Sequence, residues 1–256
     1  MQILKIKKGN LKDKVLVPPS KSYANRALII ASLLKKSPKL KNLPKATDVT
    51  ILLNSLNKIG LDYEEKGEYL NFLNSFPECE SEQTIKMEVG EGGTTARFLA
   101  TMFLLGKSTY TLILGERLKH RPWDTFIDLA RSLGAIVSLQ DEKLTINGPI
   151  EIPEKLEVDC TKTTQFASAF QLLTVIQKKS KITPVNMTSS KSYWAMTEKM
   201  ITDLCHCEVY EIPKDWSSAS YPMAFAALNH QITFPGLTLD SFQADSKFAD
   251  LLTSFQ

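Results

Sequence analysis

Ser20-Lys21-Ser22, with Arg26 one helical turn later, is the stretch whose residue types ask most plainly for a chemical partner. Pro18 and Pro19 hold an extended approach, and Ser20 or Ser22 suits the cap of a helix. Ser22 and Arg26, four residues apart, then share one face of its first turn. Cations are misplaced at an isolated helix start, where the backbone already supplies positive potential, at a cost of about 0.3–1 kcal/mol each. A bound phosphate or carboxylate reverses that sign.

Gly92-Gly93-Thr94 with Arg97 repeats the device in other residues. The glycines let backbone approach a ligand closely and Thr94 can cap, although a tight turn explains the pair equally well. Thr163-Thr164-Gln165 offers hydroxyls and an amide suited to sugar or cyclitol hydroxyls and phosphate oxygens, or to capping alone. Arg117-Leu118-Lys119-His120-Arg121-Pro122 is a dense basic turn with Pro122 at a first helical position, fitting either an anion or a solvated loop. Cys205-His206-Cys207 holds two thiols too close in sequence for ordinary tetrahedral ligands without further partners, so no metal is expected. His120, His206 and His230 suggest no triad, no Walker-type glycine loop occurs, and no cofactor is expected.

These tracts recur in a pattern. Ser20, Gly92, Thr163 and Ser217 mark four small or polar tracts, 72, 71 and 54 residues apart, each followed by an apolar helical segment. Second amphipathic helices follow the first three tracts: Asp48 to Gly60, Trp123 to Gly134 and Tyr193 to Leu204. Gly60 and Gly134 stand where a left-handed helix end is expected. β-Branched stretches at Thr109–Leu114, Ala135–Leu139, Leu144–Ile146 and Lys181–Thr183 read as strands. The expected fold is α/β (α+β), built of repeated βαβαββ units, three complete and one interrupted. In the interrupted unit, strand-like Gln231–Phe234 and a helix from Lys247 lead to Gln256, and Phe225, Leu228, Phe234, Leu251 and Leu252 present apolar faces.

Composition sets the bounds. The 256 residues are 43% apolar and 23% charged with net charge +3, which excludes disordered and disulfide-scaffold classes and gives no nucleic-acid signature. Four cysteines without a framework suit a reducing compartment, and residues 1–8 lack a signal-peptide core. Ala27–Leu34 and Phe98–Leu105 are far short of a membrane span, so a cytoplasmic protein is expected.

The motifs Ser20-Lys21-Ser22 through Arg26, Gly92-Gly93-Thr94 with Arg97, Arg121-Pro122, Thr163-Thr164-Gln165, Ser190-Lys191 with Tyr193, Ser217 to Tyr221, and Gln243 with Asp245 are together similar to the 5-enolpyruvylshikimate-3-phosphate synthase family of enolpyruvyl transferases. The resemblance implies two globular halves, with 15–226 as a complete half of three units and 1–14 plus 227–256 as part of the other. It implies transfer of the enolpyruvyl group of phosphoenolpyruvate to shikimate 3-phosphate. Lys21, Ser22, Arg26, Thr163, Thr164, Gln165 and Ser190 would contact shikimate 3-phosphate, and Lys21, Gly93, Arg121 and Gln165 would contact phosphoenolpyruvate. The family's catalytic base is expected beyond residue 256, so a complementing chain or second copy could complete the site, or the chain could be a silent binding remnant. A transferase acting on UDP-N-acetylglucosamine is disfavoured by the Ser20–Arg26 motif. Glu91 stands where the family has asparagine, bringing a negative charge near an anion site. Ser192 and Ala195 replace a proline and an aspartate after Ser190-Lys191.

Overall fold

A computed structural model describes residues 13–228 and 232–254, so the expected first strand, Gln231, His230 and the last two residues lie outside the described residues. The described residues form two compact units, one of 19–213 and a smaller one of 13–18 with 214–228 and 232–254.

In the larger unit, three helices are buried nearly all round: α1 (Lys21–Leu33), α3 (Gly93–Phe103) and α5 (Gln165–Leu173). Their sequences dictate this. From Tyr23 to Leu33 every residue of α1 is buried, Asn25, Arg26 and Ser32 among an apolar majority that has no solvent-facing side. The three pack on one another, and three more polar helices flank them: α2 (Thr47–Lys58), α4 (Asp124–Ser132) and α6 (Lys191–His206). Gly60 and Gly134 follow α2 and α4 at φ +97° and +96°, the left-handed ends their sequence positions imply.

The sheets show how the repeats differ. The second repeat is complete: β4 (Thr84–Glu88), α3, β5 (Thr109–Ile113), α4, β6 (Ile136–Gln140) and β7 (Lys143–Asn147), in spatial order β4-β5-β7-β6. The first repeat supplies β1 (Lys39–Lys41), β2 (Tyr63–Lys66) and β3 (Tyr69–Phe72). Its fourth strand is β10 (Val209–Glu211), which runs parallel to β1 from the far end of the unit. The third repeat keeps β8 (Lys155–Asp159) and β9 (Lys181–Val185), joined in parallel as a two-stranded sheet. An antiparallel pair lies beyond β1 and β5 but not beyond β9 among the described residues. The short 54-residue spacing is the sequence trace of that missing pair.

On β9 the Lys181 amide donates to Glu154 O and Val185 O accepts from Cys160 N, so Ile182 and Pro184 turn their backbone groups to the opposite, open rim. A proline there removes a donor from an unpaired edge. Pro184→Val is expected to let copies pair through this rim. Sedimentation velocity should show a larger species than the unaltered chain at equal concentration, and identical profiles would count against it.

In the smaller unit, α7 (Trp216–Ala226) packs with α8 (Phe248–Thr253) and the 3-10 turn Ala244–Lys247. The Trp216 amide donates to Gln243 Oε1 at 3.0 Å and its indole to Thr238 O at 2.9 Å. These bonds group α7 with the terminal segments rather than with the larger body, where a boundary at 226 would put it. Thr233 bridges Lys14 in parallel. No described helix is long and apolar enough to cross a membrane.

Candidate anion-binding site

At the leading ends of α1, α3, α5 and α6 lies a hollow of about 290 Å³ lined by Lys21, Ser22, Arg26, Thr94, Thr164, Gln165, Ser168, Ser190 and Tyr193. In none of these four helices does the residue at the cap position turn its own side chain onto a first amide, although in α5 the Gln165 amide is met by Thr163 Oγ1. Like poles meeting in this way favour a negative occupant. α7 differs: Asp215 accepts from the Ser218 amide at 3.0 Å, so its own carboxylate already fills the anion position at the fourth tract.

Arg26 is 4% exposed, and its hydrogen bonds go to neutral acceptors: Thr197 Oγ1 at 2.8 Å, Ser22 O at 3.0 Å and Tyr193 O at 3.4 Å. Its guanidinium also lies over the Phe98 and Tyr193 rings. Arg97, 3% exposed, donates to Gln165 Oε1 at 2.6 Å and Pro122 O at 3.1 Å, and its Nε has no partner. Burial pulls both guanidiniums down to about 10, with neighbouring Arg121 adding to the effect at Arg97. Both stay cationic at neutral pH. Neither pairs with a carboxylate among the described residues, although an unpaired buried charge costs several kcal/mol.

The sequence-selected residues converge. Lys21, Ser22, Arg26, Thr164, Gln165 and Ser190 line the hollow. Thr163 Oγ1 accepts from Arg97 at 3.5 Å and from the Gln165 amide at 3.3 Å. Gly93 earns its place by space: a Cβ there would lie 2.8 Å from Arg121 Nη1 and 3.3 Å from Gln165 Oε1. Ser190 takes φ +58° at the start of α6, a strained value for a non-glycine residue. Lys21 pairs with Asp48 at 2.8 Å, but the ammonium-bearing side chain is 51% exposed, so the pair is weak and exchangeable. Of the other basic-turn residues, Lys119 pairs with Glu116.

Sequence reasoning left Asp48, Thr94, Arg97, Ser168 and Tyr193 out of the contact set. For Ser168, 2% exposed, the available signal was a small polar residue one turn after Gln165 in a largely apolar helix. Glu91 does not load the site with negative charge as expected. Its carboxylate accepts from the Arg117 and Leu118 amides, each at 3.1 Å, and so ties down the basic turn. Gly115 makes room for it, since a Cβ there would come within 2.5 Å of Glu91 Cδ.

Residues 6–205 match the EPSP synthase (3-phosphoshikimate 1-carboxyvinyltransferase) family. The chain belongs to this family. A 3-phosphoshikimate 1-carboxyvinyltransferase of Vibrio vulnificus is 31% identical over 96% of this chain and 64% of its own length. One from Pyrococcus abyssi is 27% identical over 96% of this chain and 61% of its own. The chain thus spans less than two thirds of these EPSP synthase relatives. An EPSP synthase structure from Acinetobacter baumannii superposes with TM-score 0.68 at 16% identity, covering 89% of this chain and 56% of that one, which shows a shared fold over the matched part.

Proposed function

We propose that this chain forms the shikimate-3-phosphate wall of an enolpyruvyl transferase site, at which phosphoenolpyruvate donates its enolpyruvyl group to shikimate 3-phosphate. The carrying observation is the pair of buried arginines without a counter-ion among the described residues, Arg26 and Arg97, beside a hollow where four helix starts meet. Each substrate brings a phosphate and a carboxylate, and such groups are held by converging charged donors. Lys21, Ser22, Arg26, Thr163, Thr164, Gln165 and Ser190 would hold shikimate 3-phosphate, and Lys21, Gly93, Arg121 and Gln165 phosphoenolpyruvate.

The reaction protonates the methylene of phosphoenolpyruvate, adds a shikimate hydroxyl to the resulting cationic carbon and expels phosphate, which calls for positioned acid and base groups. The hollow's lining contains neither carboxylate nor imidazole. It binds and orients, and the proton-transfer groups belong to the remainder of the enzyme. The smaller unit leaves the apolar side chains of Tyr221, Leu228, Leu239 and Leu251 exposed, groups that the remainder on a complementing chain, or a second copy, would cover. The same lack of acid and base groups favours, as second reading, a binding module without turnover. Free thiols at all four cysteines agree with a cytoplasmic setting.

Calorimetry with shikimate 3-phosphate tests the site, and phosphate release on adding phosphoenolpyruvate separates the two readings. Lys21→Ala is expected to weaken binding about tenfold, or roughly 1.4 kcal/mol, because its exposed pair with Asp48 is readily exchanged for substrate. Absence of binding by the unaltered chain would overturn both readings, and turnover by it alone would eliminate the second.

A further inference from the structure

We infer that Arg97 is a positioning residue that fixes the Gln165 amide as a hydrogen-bond donor toward the bound ligand. This deepens the reading above and rests on it. A glutamine amide is ambivalent, its carbonyl accepting and its NH2 donating. In a hollow for anions, a carbonyl turned inward would repel the ligand. Arg97 Nη1 lies 2.6 Å from Gln165 Oε1, and a guanidinium can only donate, so the carbonyl is committed to Arg97. Nε2 is thereby turned toward Thr94 Oγ1 at 3.4 Å, and both Thr94 and Gln165 line the hollow.

The cation that does this is itself immobilised. Its charged carbon sits 5.6 Å from the Trp123 ring centre and 5.1 Å from that of Phe166. Nη2 bonds Pro122 O and Nη1 reaches Thr163 Oγ1, so one guanidinium ties together the approaches to α4 and α5 from its seat on α3. Nε is buried without a partner, which leaves Arg97 short of acceptors and holds it to Gln165. A fixed donor favours carboxylate and phosphate oxygens over ligand groups that must themselves donate.

Two measurements test this, one of them without ligand. In the ligand-free chain, Gln165→Glu should raise the melting temperature by about 2–4 °C through pairing with Arg97, and should lower it when Arg97→Gln is present. The same sign of shift in both backgrounds would overturn the contact. In titrations with shikimate 3-phosphate and then phosphoenolpyruvate, Arg97→Gln and Gln165→Ala should each weaken binding about tenfold. The double variant should bind no worse than about threefold below the weaker single. Multiplying losses, or binding by Arg97→Gln within twofold of the unaltered chain, would show that Arg97 does not act through Gln165. Failure of the unaltered chain to bind either substrate, with the melting shifts as expected, would instead strike the functional reading and leave the contact standing.

Discussion

Arg26→Met is expected to leave the chain folded and at least as stable, yet to weaken shikimate 3-phosphate binding by about 100-fold, near 3 kcal/mol. The two halves of this expectation have one cause. The guanidinium lies in the core among Phe98, Tyr193 and Thr197 with neutral acceptors only. Removing it strands little: Thr197 Oγ1 still donates to Tyr193 O at 2.9 Å, and Ser22 O remains a helix carbonyl. Replacing a buried charge by an apolar side chain of similar volume is often neutral or stabilising. The ligand's anionic group, by contrast, loses a desolvated partner that bulk water cannot replace. Thermal denaturation and calorimetry on one preparation check both halves, and retained binding within threefold would remove Arg26 from the site.

The largest loss of stability is expected from Trp123→Ala, at about 3–5 kcal/mol. Trp123 is 1% exposed, and its indole donates to Leu118 O at 3.2 Å. Its ring meets Phe126 at 6.1 Å and Phe166 at 5.7 Å between centres, so it fills the seam between α4 and α5. It also forms one wall of the Arg97 seat. Truncation would open a cavity and loosen the guanidinium, so weaker anion binding should accompany the stability loss. Urea denaturation measures the first, and a change below about 1 kcal/mol would mean the neighbours collapse into the space.

The parts of this molecule legible from residue order were those fixed by local physics. The apolar stretch Ala27–Ala31 of α1 required burial, the glycines after α2 and α4 marked helix ends, and Lys21, Ser22 and Arg26 at the start of α1 meet at one hollow. The rest depended on partners distant in the chain. The hairpin β2–β3 carries Glu64, Glu65 and Lys66 with no clean alternation, because its outer face is solvated and Lys66 pairs with Glu64. β10 finds its place only beside β1, about 170 residues earlier, which no short-range pattern encodes. Among the arginines at helix starts, nothing local ranked Arg97 above Arg117. That ranking is made by Trp123 and Phe166, which converge on one guanidinium from two other helices.

The proline on the rim of β9 couples two changes that would otherwise look independent. A repeat that gives up its outer hairpin exposes a template for foreign strands, and Pro184 blunts that template at the residue whose amide would have met the lost neighbour. The shortening and the proline therefore stand or fall together. An engineer grafting the Ile136–Asn147 ribbon onto the third repeat would first have to replace Pro184, because the incoming strand would find a ring carbon where it needs an N–H.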